Sequence, residues 1–164
     1  MSKKKEEVKT NVVRLLEAND IPCTPYVLPL GKDVVPDGVT AARLMDKPPE
    51  QVFKTLVAEG PKGEHFVYVI PVAETLDLKK AAKAAGVKSI AMLPQKKLLP
   101  LTGYVHGGCS PVGMKKPFPT FIDETAILFD RIYVSAGMRG QQLILDPEDL
   151  ARYTGATFAD LTKA

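Results

Sequence analysis

A glycine-rich stretch at residues 103–116, GYVHGGCSPVGMKK, holds the first group of residues whose types and spacing could do chemistry. Its four glycines and one proline exclude a helix or a regular strand and predict a shaped loop. In such a loop, successive N–H groups can point into one concavity and bind an anion or an oxyanion. Ser110 adds a hydroxyl, and Lys115 and Lys116 add positive charge. Because the spacing matches neither a P-loop nor a dinucleotide fingerprint, the pattern indicates either a polar ligand or an ordinary tight turn.

A second candidate is Lys54, which lies in the apolar run VFKTLVA at residues 52–58. The run predicts a strand, and the alternation of side chains places Lys54 on the same face as Leu56 and Ala58. A strand lysine usually lies on a solvent-exposed face or edge. The alternative is an ammonium group held in a pocket, as a fixed charge for a ligand or as a proton donor. The residues alone leave both interpretations open.

The cysteines and histidines do not indicate a metal site. Cys23 and Cys109 form no Cys-x-x-Cys pair, and His65 and His106 are the only histidines. No cofactor is indicated either. Cys109 lies inside the glycine-rich stretch and could be a nucleophile, but no histidine-plus-acid set can be assigned to it. We therefore expect Cys109 to behave as a small hydrophobic residue.

The bulk composition predicts one globular domain over residues 1–164, with 45% hydrophobic and 25% charged residues. No apolar run approaches the roughly 20 residues that span a bilayer, and no apolar segment follows the charged N-terminus, so we expect a cytoplasmic protein. Between Leu78 and Ile122 there is no acidic residue, which suggests a surface for a phosphate backbone or only a solvated face. The eight lysines of this region are Lys79, Lys80, Lys83, Lys88, Lys96, Lys97, Lys115 and Lys116.

The elements that must position these residues follow from periodicity and from turn residues. Helices are expected at 5–18, 40–45, 78–85, 94–99 and 147–153, and strands at 21–28, 52–58, 65–72, 89–93, 120–123, 130–137 and 141–146. Residues 30–38 are expected to form a loop that could cover a site, and 48–51 a turn or brief helix. This order mixes helices with hairpins, so we predict an α+β domain with a mixed, barrel-like sheet flanked by helices.

Four segments together resemble a known family. They are QVFKTLV at 51–57, LDLKKAAK at 76–83, the glycine-rich stretch, and IYVSAGMRG at 132–140. With these segments in this order, the chain resembles the YbaK/EbsC-type Cys-tRNA(Pro) deacylases, the free-standing form of the editing domain inserted in bacterial prolyl-tRNA synthetases. The resemblance implies hydrolysis of the ester that joins a wrong amino acid to tRNA. It implies aminoacyl-tRNA as the partner, prolyl-tRNA synthetase as a second candidate partner, and neither a membrane nor DNA.

The resemblance also implies roles for particular residues. Lys54 matches the strand lysine of the family and is the expected catalytic residue. Leu28 stands where Cys-specific relatives carry a tyrosine, with Tyr26 nearby, and Gln142 falls on an acidic position, which leaves the amino-acid specificity open. The residues expected to bind substrate are Thr55, Gly107, Gly108, Ser110, Pro111, Ser135 and Gly137, and those expected to bind tRNA are Lys79, Lys80, Lys83, Lys115 and Lys116.

The mechanism that the family implies needs no protein nucleophile. The thiol of the substrate attacks its own ester carbonyl, and water then opens the thiolactone, while loop N–H groups stabilise the oxyanion. Two alternatives are a module that binds aminoacyl-tRNA or a synthetase without turnover, and a deacylase for another amino acid such as alanine.

Overall fold

The computed structural model describes residues 10–28 and 37–164. The helices are α1 (Asn11–Ala18), α2 (Gly38–Leu44), α3 (Leu78–Ala85), α4 (Leu98–Thr102) and α5 (Pro147–Thr154), with 3-10 turns at Pro49–Gln51, Gln95–Lys97 and Glu124–Leu128. The strands are β1 (Thr24–Val27), β2 (Phe53–Glu59), β3 (His65–Pro71), β4 (Ala91–Met92), β5 (Thr120–Asp123), β6 (Ile132–Ser135), β7 (Gln141–Leu145) and β8 (Thr157–Ala159).

These strands form two sheets that meet at the start of β2. One sheet has the order β1-β7-β6, and the other has the order β4-β2-β3-β5-β8. The β3–β5 and β5–β8 pairs are parallel and the other pairs are antiparallel. A single parallel bridge between Val52 and Tyr133 links the two sheets. The predicted α+β class with mixed strand pairing is therefore confirmed, with two linked sheets in place of one.

The helix ends follow the capping residues that the sequence supplies. Asp77 accepts hydrogen bonds from the backbone N–H groups of Lys79 and Lys80, and Gly86 ends α3 in the left-handed region with φ 74°. Only a residue without a Cβ adopts that conformation at little cost. The prediction of a helix at 78–85 between Asp77 and Gly86 is confirmed.

The core lies on both sides of the larger sheet. On one side, Val12 and Leu16 of α1 pack with Ile132 and Leu143 of the smaller sheet. On the other side, α3 packs on β3, where the buried Tyr68 hydroxyl donates to the carbonyl oxygen of Ala81 at 2.8 Å. Each fully buried aliphatic side chain in this core contributes about 1.5–3 kcal/mol to the free energy of folding. These contacts cover both faces of the larger sheet, to which β2 belongs.

The structure differs from the sequence predictions at short elements. The expected strand at 89–93 is reduced to Ala91–Met92, and Thr157–Ala159 forms a strand that the sequence did not predict. This last strand is too short for a periodic pattern and arises from its parallel pairing with β5. The expected helix at 5–18 is seen from Asn11, and its first part, like most of the expected loop at 30–38, lies outside the described residues.

Within the described ranges, every helix is too short or too polar to span a membrane.

Candidate active site

A cavity of about 480 Å³ lies along an edge of β2. One edge of β2 pairs with β3 over its whole length. Among the described residues, the other edge pairs with β4 at Ala58 and Glu59, accepts a hydrogen bond from the Leu93 N–H at Val57, and is preceded by the bridge between Val52 and Tyr133 of β6. The cavity follows the stretch between these pairings. Its described lining residues are Leu28, Asp37, Gly38, Ala41, Val52, Phe53, Lys54, Thr55, Leu56, Val72, Leu98, His106, Gly107, Cys109, Ser135, Gly140 and Gln142.

Lys54 lines this cavity and is partly buried. Burial lowers the pKa of its ammonium group, and the negative charge of Glu74 opposes that shift only in part. Among the described residues, no carboxylate lies within 4.0 Å of the Lys54 ammonium to form an ion pair. Of the two positions that the sequence allowed for Lys54, a solvent-exposed strand face and a pocket, the structure shows the pocket. A partly desolvated ammonium without an ion-pair partner is suited to an anionic or electron-rich ligand group.

Two side-chain oxygens of the lining residues have no hydrogen-bond partner within the described ranges. They are the hydroxyl oxygen of Thr55 and the side-chain carbonyl oxygen of Gln142, and both atoms are buried. A buried polar group without a partner is rare in folded proteins and calls for an explanation. Both residues line the cavity.

The glycine-rich stretch contributes His106, Gly107 and Cys109 to the cavity lining, and some of its polar groups are hydrogen-bonded within the protein. The Gly108 N–H, one of the expected oxyanion donors, donates to the carbonyl oxygen of Val105 at 3.0 Å in this structure. Tyr104 donates its hydroxyl proton to the carbonyl oxygen of Val112. The Ser110 hydroxyl, which is fully buried, accepts from the Val112 N–H at 3.2 Å. These bonds shape the loop, while the N–H groups of Gly107 and Cys109, two residues of the cavity lining, have no hydrogen-bond acceptor among the described residues.

The structure brings together only some of the expected substrate-binding residues. Lys54, Thr55, Gly107 and Ser135 line the cavity. Outside its lining are Gly108, Ser110, Pro111 and Gly137, of which the first three are buried.

Gly108 and Gly137 instead allow close packing. A Cβ on Gly108 would lie 3.1 Å from the backbone nitrogen of Arg139, in the turn between β6 and β7. Gly137 has φ 100°, and a Cβ there would lie 3.0 Å from the side chain of Val12. Its N–H donates to the Ser135 hydroxyl at 3.1 Å, which orients Ser135 at the rim of the cavity. The role of these glycines in this structure is therefore to position the loop and the turn.

Cys109 does not have the properties of a nucleophile. Its thiol is buried, and burial raises its pKa to about 12, so almost no reactive thiolate is present at neutral pH. It packs with Val57 and Val67 in a small apolar cluster. Among the described residues, no group of three or more His, Cys, Asp or Glu side chains could hold a metal ion.

None of the lysines expected to bind tRNA lines the cavity. Lys79, Lys83 and Lys116 are exposed. The ammonium group of Lys80 is instead 3.0 Å from a carboxylate oxygen of Asp160 and donates to the carbonyl oxygen of Thr162 at 2.7 Å, so it holds the C-terminal segment. The Lys115 ammonium donates to the carbonyl oxygen of Pro100 at 3.3 Å.

Sequence reasoning missed several residues that shape the cavity. Arg139 donates from Nε to the carbonyl oxygen of His106 at 2.9 Å and so fixes the loop to the β6–β7 turn. Gly38 opens α2 directly against Val72, where a Cβ would lie 2.5 Å from the valine side chain. Asp37 caps α2 through the Thr40 N–H at 2.7 Å, and the sequence signal was its position before a short helix.

Leu28 and Gln142, the two residues at which the family resemblance leaves the amino-acid specificity open, both line the cavity. Leu28 is buried there, its N–H donating to the carbonyl oxygen of Gly140 at 2.7 Å. Gln142 lies in β7, the central strand of the smaller sheet. It pairs with Tyr26 of β1 on one side and with Ser135 of β6 on the other. Tyr26 is not among the lining residues and packs in a neighbouring apolar cluster. The residue types at 28 and 142 are therefore placed to affect what the cavity accepts.

Comparisons with known proteins define the class. The model of the family described as "Aminoacyl-tRNA editing domain" matches residues 35–153. The chain belongs to this family, whose members edit aminoacyl-tRNA.

Particular relatives are similar over nearly the whole chain. The Enterococcus faecalis (strain ATCC 700802 / V583) protein named "Putative Cys-tRNA(Pro)/Cys-tRNA(Cys) deacylase EbsC" is 43% identical, over 99% of this chain and 98% of its own. A crystal structure of "a putative trans-editing enzyme for prolyl tRNA synthetase" has a TM-score of 0.78 at 24% identity and covers 96% of this chain and 99% of its own. A crystal structure of a hypothetical protein has a TM-score of 0.84 at 22% identity and covers 94% of this chain and 100% of its own. The two structures support the fold.

Proposed function

We propose that this protein is a trans-editing deacylase that hydrolyses the ester of Cys-tRNA(Pro). The observation that carries the proposal is the cavity itself. It holds an ammonium group without an ion-pair partner among the described residues, and its one cysteine is protonated and buried. Such a site suits a substrate that brings its own nucleophile. The family match and the 43% identity to the Enterococcus faecalis protein named "Putative Cys-tRNA(Pro)/Cys-tRNA(Cys) deacylase EbsC" support the same substrate class.

The chemistry proposed starts from the thiol of the esterified cysteine. Once deprotonated, its sulfur attacks the ester carbonyl carbon, a C–S bond forms, and the bond to the ribose 3′-oxygen breaks as that oxygen takes a proton. Water then adds to the thiolactone and releases free cysteine. The positive charge of Lys54 favours the thiolate and the charge that develops on the carbonyl oxygen. The protein therefore contributes position and electrostatics, since the ester is already activated.

Recognition of tRNA is proposed to rest on phosphate contacts. Lys79, Lys83 and Lys116 are exposed on a region without acidic residues and can meet phosphates as point charges. No aromatic RNA-binding motif is present to read bases, so we expect the aminoacyl end to supply selection. Prolyl-tRNA synthetase remains a proposed partner that would deliver the mischarged tRNA.

The test is a deacylation assay on tRNA(Pro) charged with cysteine, alanine or proline. We expect release of cysteine well above the spontaneous rate and little release of proline. Release of alanine in preference to cysteine would establish a deacylase of different specificity. Tight binding of Cys-tRNA(Pro) without release would establish a binding module. Addition of prolyl-tRNA synthetase to the same assay shows whether it accelerates turnover.

A further inference from the structure

We infer that Arg139 binds the phosphate group of the terminal nucleotide of the charged tRNA. This inference rests on the proposed deacylase function, because it assumes that the ester end of an aminoacyl-tRNA enters the cavity. Its starting point is that Arg139 is exposed and that its side chain is bonded to His106, a residue of the cavity lining. An arginine at the rim of the proposed active site has so far no role in the reaction.

The contacts of Arg139 place it at the rim of the cavity. Its Nε donates to the carbonyl oxygen of His106 at 2.9 Å. Its backbone nitrogen lies close to Gly108, where a Cβ would be 3.1 Å away. His106 lines the cavity, and so does Gly140, which follows Arg139 directly in the chain. The side chain and the backbone of Arg139 therefore both adjoin the cavity lining, and the exposure of Arg139 and His106 shows that they lie at its open side.

The guanidinium group of Arg139 is available to an anion. His106 uses the Nε–H, which leaves the N–H groups of Nη1 and Nη2 without an acceptor among the described residues. In the same part of the chain, no carboxylate lies within 4.0 Å of Arg139 to form an ion pair. The bond to His106 also restricts the orientation of the guanidinium plane. A charged, oriented group with two free nitrogens suits an anion that presents two oxygens.

The chemistry of the substrate identifies this anion. Esterification removes the carboxylate charge of the amino acid, so the nearest permanent negative charge is the phosphodiester on the 5′ side of the same ribose. When the ester lies in the cavity with Lys54, this phosphate is one ribose away, towards the open side. The two cations then have separate tasks, since Lys54 acts at the ester and Arg139 holds the phosphate. Arg139 thereby favours the end of a tRNA over a free amino-acid ester.

The experiment compares two non-hydrolysable probes that differ only in the phosphate. One is cysteine joined by an amide to 3′-amino-3′-deoxyadenosine, and the other is the same compound with a methyl phosphate on the 5′-oxygen, which carries the single charge of a phosphodiester. Isothermal titration calorimetry gives Kd for each probe. We expect the wild type to bind the phosphate probe about tenfold more tightly, since hydrogen bonds between two charged groups are among the stronger ones.

The variant Arg139→Gln removes the charge at an exposed position, where substitutions rarely unfold a protein. It should reduce the preference for the phosphate probe to about twofold or less. Loss of the bond to His106 affects both probes alike, so the ratio of the two Kd values isolates the phosphate contact. Arg131→Gln is the matched control, because Arg131 is also an exposed arginine but precedes β6 and lies outside the cavity lining. It should keep the tenfold preference.

Equal binding of the two probes by the wild type, no binding of either, or a preference that Arg139→Gln retains would overturn the phosphate contact. Weaker binding of both probes by Arg139→Gln at an unchanged ratio would show that Arg139 only positions the loop. Deacylation of Cys-tRNA(Pro) by the wild type is measured in parallel. Turnover without the probe preference overturns the phosphate contact alone. The expected preference, lost in Arg139→Gln, together with no turnover supports the contact and overturns the proposed hydrolysis.

Discussion

Two walls of the cavity use their polar groups in opposite ways. In the glycine-rich loop, the Gly108 N–H, the Ser110 hydroxyl and the Tyr104 hydroxyl are hydrogen-bonded to the loop itself. In the strand wall, the hydroxyl of Thr55 and the side-chain carbonyl oxygen of Gln142 have no hydrogen-bond partner in the part of the chain that the structure describes. The loop bonds therefore shape the cavity, and strand β2 supplies the Lys54 ammonium group, which has no ion-pair partner among the described residues. A glycine-rich sequence indicates a constrained backbone, but it does not show whether the N–H groups face a ligand or the loop.

The largest effect that tests this comparison is expected from the strand wall. Lys54→Met removes the ammonium group and keeps an unbranched side chain, so deacylation of Cys-tRNA(Pro) should fall by at least about 100-fold. The measurement is single-turnover release of cysteine by the purified, folded variant. Lys62→Met, in the exposed β2–β3 turn, is the matched control and should behave like the wild type. Wild-type turnover in Lys54→Met would contradict the assignment of Lys54.

A change in the shape of the glycine-rich loop should lower the deacylation activity. In Gly108→Val, the new side chain meets the backbone of Met138 and Arg139, so the loop must move away from the β6–β7 turn. We expect about 100-fold lower activity, because small displacements of a site cost that much. Gly63→Val, in the β2–β3 turn where nothing lies within 4 Å of the new Cβ, is the control for a strained glycine substitution. If Gly108→Val is folded and fully active, the loop does not shape the site.

Lys54 also predicts how stability depends on pH. Burial lowers its pKa in the folded state from the ordinary value of 10.5, so the unfolded chain binds more protons between the two pKa values. The free energy of unfolding contributed by this group therefore rises with pH in that window. Urea unfolding across the alkaline range should show this rise relative to Lys54→Met, in which it is absent. Identical pH profiles for the two proteins would mean that Lys54 is solvated.

A smaller effect is expected from the lysines remote from both walls. Changing Lys79 and Lys83 to Gln should weaken tRNA binding and reduce the slope of log K against log salt by roughly 1.5. Fluorescence titration of tRNA binding between about 50 and 200 mM salt measures both the affinity and this slope. Lys80→Gln should instead cost up to about 1 kcal/mol of stability through the lost contact with Asp160. An unchanged salt slope would mean that Lys79 and Lys83 are a solvated face.

The smallest effect is expected at Cys109, in the loop wall. Because its thiol is buried with a pKa of about 12, Cys109→Ala and Cys109→Ser should keep activity within about threefold of wild type. The same single-turnover assay measures this effect. Inactivity of both folded variants would show that a protein nucleophile acts here and would overturn the substrate-thiol mechanism.

The sequence predicted long and well-capped elements better than short ones. The hairpin of β2 and β3 and the helix between Asp77 and Gly86 were predicted because apolar periodicity and caps are local signals. The strand Thr157–Ala159 was missed because only its pairing with β5 stabilises it. Similarly, Arg139 gave no signal in the sequence, since its contact with His106 spans 33 positions.

For this protein, the sequence by itself determined the class of fold, the conflict at Lys54 and the family resemblance, because each depends on residue types at short and regular spacing. Only the tertiary structure decided which side chains meet at the edge of β2, that Gly108 and Ser110 are turned into their own loop, and that Lys80 is bound to Asp160. The physical reason is that hydrogen bonds and burial depend on which distant segments come into contact. The partner of a polar group is therefore fixed by packing, and local sequence does not encode it.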